Sequence, residues 1–188
     1  MDYFDLGPFS RPITTHSPTV QVWFDRGLNW VYGYNHMEAV ACFRKALEQD
    51  AQCAMAHWGI AYASGPNYNL PWHLLDPGGR AQALAAAYDA TQQALTVANG
   101  ASAVEQALIR ALPAHYPARE PVDDMQPWNW EYTNAMRAVY KAYPDDLDVR
   151  SIFVEAIMNE TPWRMWDLRT GGVAAGAGTV EAREVLEE

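Results

Sequence analysis

Apolar residues recur at three-and-four spacing along Val20, Trp23, Phe24, Gly27 and Val31, the spacing of one face of an α-helix. Tyr32, Gly33, Tyr34 and Asn35 interrupt it, and a second stripe follows at Ala39, Val40, Phe43, Ala46 and Leu47. Neither helix can bury its stripe alone, so the two are expected to pair as an antiparallel hairpin. Asn35, with Glu38 three residues later, suits the start of the second helix. Helical patterning returns over 53–63, in an Ala-rich stretch ending near residue 98, and over 102–115, where Ser102 and Glu105 form a capping box. It returns again from about Trp128 to Tyr143, from about Asp146 to Asn159, and from Thr179, read as a cap, to the last residue. Pro144 closes the first of these three, and Asp145, Asp146 and Asp148 put favourable charge at the start of the next. Residues 1–18 carry Pro8, Pro12 and Pro18 and read as an extended arm laid across the first helices by Tyr3, Phe4 and Phe9.

The large and small positions of residues 20–50 form a more particular pattern than a hairpin needs. Trp23, Gly27 and Trp30 on the first helix, with Ala39, Phe43 and Ala46 on the second, resemble the tetratricopeptide (TPR) repeat. Arg26 stands where that repeat has Leu, and Ala51 where it has its closing Pro. In the second unit Ile60 and Ala61 take the Leu-Gly positions and His57 the Trp position. The resemblance implies an all-α fold, a TPR-like α-helical solenoid of three to four antiparallel hairpins over residues 19–188 with two long inserted loops. Gly27 and Ala39 would let the backbones approach while Trp23 and Phe43 fill the space around them. The chain is also similar to the amino-terminal part of longer microbial TPR-domain proteins that share the stretch from GYNHMEA to GPNYNLPW. The last helix ends without a polar covering helix, so truncation, or self-association through that helix, is expected.

The two insertions echo each other. Pro71-Trp72-His73-Leu74-Leu75-Asp76 and Pro162-Trp163-Arg164-Met165-Trp166-Asp167 both read P-W-x-x-x-D, and each is followed by a glycine pair. Loops at the same point of successive hairpins emerge on one edge of a solenoid. The first would offer Asn67, Tyr68, Asn69, Trp72, His73 and Asp76, and the second Asn159, Glu160, Trp163, Trp166 and Asp167. Flat aromatics with a few amide and carboxylate groups suit a peptide or a small organic ligand. The plainer alternative is that each P-W pins its loop to the helices and each Asp closes a turn.

Charge narrows the partners. The chain carries a net charge of −10 and only two lysines, Lys45 and Lys141, which argues against nucleic acid. Residues 120–188 hold 14 acids and 6 bases, net −8, so a basic protein or peptide is favoured there. Cys42 and Cys53 form no C-x-x-C pair and read as buried thiols. The N-terminus has no secretory pattern, and no stretch reaches the ~18 apolar residues of a membrane span, so a cytoplasmic location is expected. Among the histidines no pair falls at i,i+4; His36, His57 and His73 are the trio to test, and neither metal nor cofactor is expected. There is no nucleophile elbow and no lysine-bearing phosphate loop in GGVAAGAGT. The reading is a protein- or peptide-binding helical repeat scaffold. It is not of the kind that grips a terminal carboxylate, since Phe24 and Leu28 stand where that would need Lys and Asn. The rival is an enzyme or small-molecule binder whose pocket the two P-W loops form.

Overall fold

The computed structural model describes residues 3–187, and over them the chain is all-helical. Its eight α-helices are α1 (Pro18–Tyr32), α2 (His36–Gln49), α3 (Ala54–Ser64), α4 (Pro77–Val97), α5 (Ala103–His115), α6 (Gln126–Ala142), α7 (Leu147–Glu160) and α8 (Thr179–Glu187). Among the described residues β pairing is confined to two isolated bridges, Asn67 with Leu70 and Trp166 with Val173. None of these helices is long and apolar enough to cross a membrane. The chain divides into two compact units, one of Met1–Gly65 and Ala86–Ile109 and the other of Pro66–Ala85 and Arg110–Glu188.

In the first unit α1 packs on α2, and α3 packs on both. Ser17 caps α1, its side chain accepting from the Val20 N–H, and Pro18 begins the helix where its missing N–H costs nothing. Asn35 caps α2 by accepting from Glu38 N at 3.3 Å. Phe43 is the centre of this packing. A methyl on Gly27 of α1 would come within 2.5 Å of its ring, and one on Gly59 of α3 within 2.7 Å. Phe24 supplies the neighbouring ring, 5.5 Å away. The glycine where α3 meets Phe43 is thus Gly59, two residues before the small position assigned from the pattern. Burying a ring this completely stabilises by roughly 1.5–3 kcal/mol. Trp23 packs with Ile13 and Leu47 against the smaller cluster of Val20, Ala46, Cys53 and Ala56.

The N-terminal arm gives the Arg26 side chain its place. Its guanidinium lies 4.4 Å from the Tyr3 ring centroid and 4.6 Å from that of Trp23. A cation held over two aromatic faces keeps packing area without burying its charge. Tyr3 is fixed in turn: its hydroxyl accepts from Trp30 Nε1 at 2.6 Å, donates to Glu38 Oε1 at 2.7 Å and lies 3.0 Å from Cys42 Sγ. Further along the arm the Glu105 carboxylate accepts from Thr14 N and from Ser102 N, both at 2.7 Å. The capping-box acid of α5 therefore also ties down the arm. Burial pushes that carboxyl upward, but the hydrogen bonds from Thr14 and Ser102 outweigh it and hold the group below its ordinary value.

In the second unit α6 packs on α7 and α7 on α8. Asp146 caps α7 by accepting from the N–H groups of Asp148 and Val149. Arg137 of α6 holds α8 through two bonds to Glu181, of 2.6 and 3.0 Å. Thr179 is the first residue of α8, and its hydroxyl donates to the Met165 carbonyl at 2.7 Å.

Candidate functional site

The two P-W loops meet in the second unit, and they are not equivalent there. Trp72 is only 5% exposed and anchors the first loop; Trp163 is 64% exposed. The Trp163 backbone sits at φ 66°, the left-handed region that a bulky residue rarely enters. The Tyr68 ring of the first loop lies nearly parallel to the Trp163 indole, at 10° with centroids 6.2 Å apart. Beside them is an open cleft of about 840 Å³ lined by His73 and Leu74 from the first loop and by Pro162, Trp163 and Arg164 from the second. The start of α6 adds Gln126 and Trp130, the latter 49% exposed, and the end of α7 adds Glu160 and Thr161. Gln126 Nε2 donates to the Glu160 carbonyl at 2.8 Å and fixes these helix ends together. The half-buried Glu160 carboxyl is raised above its usual value, chiefly by burial, against the pull of Thr133 and Arg137.

Three of the residues expected at a site, His73, Glu160 and Trp163, line this cleft. Others do the work of folding. Asn67 Oδ1 accepts from Asn69 N and Leu70 N and closes a turn. Asp76 Oδ1 accepts from Gly78 N and Gly79 N, both at 3.0 Å, and caps α4. Asp167 accepts from Arg169 N at 2.9 Å. Asn69 and Trp166 are exposed but do not line the cleft, and Asn159 is buried. Trp130, Gln126, Arg164 and Leu74 were not singled out by pattern. The signal for Trp130 was present in WNW: Trp128 and Trp130 project from nearly opposite sides of one helix, so a one-sided core cannot cover both.

Comparison of the chain with family models, with curated proteins and with solved structures finds no match.

Below the surface of the same unit lies a polar cluster that pattern reading passed over. His115 is fully buried between two tyrosine rings, Tyr116 at 4.4 Å and Tyr132 at 4.2 Å, both close to parallel with it. Neither imidazole nitrogen and neither phenol oxygen has a hydrogen-bond partner; the Asn129 side chain faces the imidazole without closing a bond of good geometry. Burial pushes the imidazole pKa down to about 3, so His115 is neutral at physiological pH. The phenols are pushed up, again by burial, with the charge of Glu155 adding to it. Asn129 Nδ2 donates to the Asn159 carbonyl at 3.0 Å, while the Oδ1 of each is unpartnered.

Burial raises the thiols of Cys42 and Cys53 and makes them poor nucleophiles. His57 Nε2 lies 3.0 Å from the Ala51 carbonyl, and His36 packs edge-on against Tyr34. Among the described residues no three His, Cys, Asp or Glu side chains converge as metal ligands.

Proposed function

We propose that the chain is a binding scaffold that holds a segment of a partner protein in the cleft where its two P-W loops meet. The observation that carries this is Trp163, a large apolar side chain exposed on strained backbone. A ring held out at a conformational cost of about 1–3 kcal/mol is a recurrent mark of a working surface. Tyr68, Trp130 and Leu74 extend the apolar lining, and the acidic charge of residues 120–188 favours a basic segment. The open cleft suits an extended peptide better than an enclosed cofactor, and the buried position of Trp72 removes the aromatic wall that an enclosed pocket between the loops would need.

The helices that carry the cleft are, on this proposal, TPR-like repeats. Support comes from the first unit, where α3 packs on both α1 and α2 and Phe43 fits between Gly27 and Gly59, the interlock that stacked hairpins use.

A test is to pan a displayed peptide library on the full chain, with the Trp163→Gly variant as counter-target. Selected peptides are expected to bind the native chain, to shift the indole N–H signals of Trp130 and Trp163, and to lose at least about tenfold in affinity for the variant. Peptides that bind both proteins equally would overturn the proposal.

A further inference from the structure

The side chains that line the cleft offer a ligand more donors than acceptors. Among the described residues the indole N–H groups of Trp130 and Trp163 and the Arg164 guanidinium meet no hydrogen-bond or ion-pair partner, and all three side chains are exposed. His73, also exposed, can serve in either role. The side-chain acceptors are fewer. The Glu160 carboxyl is engaged by Thr133 and Arg137, and the Thr161 hydroxyl by Met165 Sδ, which leaves the side-chain oxygen of Gln126. A segment bound here is therefore met mainly by donors, beside the flat faces of two exposed tryptophans.

An ordinary extended segment brings as many N–H groups as carbonyls, and a sheet edge is what satisfies both. No such edge is at hand: among the described residues β pairing is limited to two isolated bridges, each inside one of the loops. A helical ligand keeps its carbonyls in its own hydrogen bonds and needs an apolar trough, whereas Arg164, Gln126 and Glu160 share this lining. Building on the proposed peptide-binding cleft, we infer that the segment it holds is a left-handed polyproline helix. Such a helix turns its unbonded carbonyls outward, its prolines carry no N–H, and their rings pack on aromatic side chains. Trp130 and Trp163 then take proline rings on their faces, while their N–H groups and Arg164 donate to carbonyls of the same segment. Polyproline is already ordered when free, which suits an open cleft with few contacts to offset the cost of ordering a flexible chain.

The experiment compares three acetylated, amidated peptides with a core of six L-prolines, six D-prolines or six L-alanines and one lysine at each end. Each is titrated into the full chain and followed by the Trp130 and Trp163 indole N–H signals. D-proline keeps the rings and the missing N–H groups but winds to the opposite hand, and alanine restores the N–H groups. The L-proline peptide is expected to move both indole signals and to bind at least about tenfold more tightly than either of the others, a comparison that needs no variant to fold. Trp130→Phe keeps a flat face and removes one donor, and should weaken the L-proline peptide about fivefold. Equal affinity of the three peptides, or no weakening in Trp130→Phe, overturns the polyproline assignment. If none of the three moves either indole while library-selected peptides do, the assignment is overturned and the peptide cleft stands. If selected peptides move neither indole, both are overturned.

Discussion

Acid should loosen the second unit through one side chain. His115 is neutral and fully buried, with its folded pKa pushed from 6.5 to about 3 by burial. The sign follows from proton uptake: between these values the unfolded chain binds a proton that the folded chain refuses, so stability falls as pH falls. The loss begins near pH 6.5 and approaches about 1.4 kcal/mol per pH unit until the folded group itself titrates near pH 3. Between pH 7 and pH 5 this amounts to about 2 kcal/mol, a large share of the ~5–15 kcal/mol that holds an ordinary domain together. Other groups titrate in the same interval, so the wild type must be compared with a variant that keeps the stack and lacks the proton site. His115→Phe retains a flat ring between Tyr116 and Tyr132 and cannot take up a proton. Urea unfolding of both proteins at the two pH values, followed by far-UV circular dichroism, should show the wild type losing about 2 kcal/mol more than the variant. Equal losses would refute the reasoning, because the imidazole would then have to be solvated or paired in the folded state.

Other outcomes follow from the packing. Gly27→Ala and Gly59→Ala should each destabilise by about 1–3 kcal/mol, since the added methyl meets the Phe43 ring at 2.5 or 2.7 Å, whereas Gly100→Ala faces open space and should fall within about 0.5 kcal/mol of wild type. Chemical denaturation measures all three. Trp163→Gly should leave the melting temperature unchanged or higher, because glycine accepts φ 66° without strain and offsets the lost contact with Tyr68; a clear drop would mean the ring is an anchor. Glu105→Gln should free the arm by weakening its hold on Thr14, seen as faster proteolytic cleavage within residues 3–17, at a stability loss of about 1–3 kcal/mol.

What could be read from the residues, and what could not, divides along the range of the forces involved. Helix positions rest on local rules, and Asn35 and the Ser102–Glu105 pair act where those rules put them. The start of α4 at Pro77 is not legible in the pattern, because Asp76 and Pro77 build a helix beginning that the following glycines disguise. The P-W echo pointed to the neighbourhood of the cleft, yet the copies differ: one tryptophan is buried and the other held out. That difference depends on backbone at Trp163 that no spacing rule encodes. The buried His115 stack was equally out of reach, since its rings come from α5, the residue following it, and α6, and nothing in 115, 116 and 132 marks them as neighbours before the chain is folded.

The seat of Phe43 carries a further consequence. One ring touches two glycines on two different helices, so the three sites form a single lock whose parts cannot be altered one at a time. A heavier residue at either glycine needs a slimmer one at 43, and a slimmer residue at 43 leaves a hollow that both partners must then fill. Sequences descended from a common ancestor with this chain should therefore vary at 27, 43 and 59 in concert, and that joint drift would be visible in their statistics without any coordinates at all.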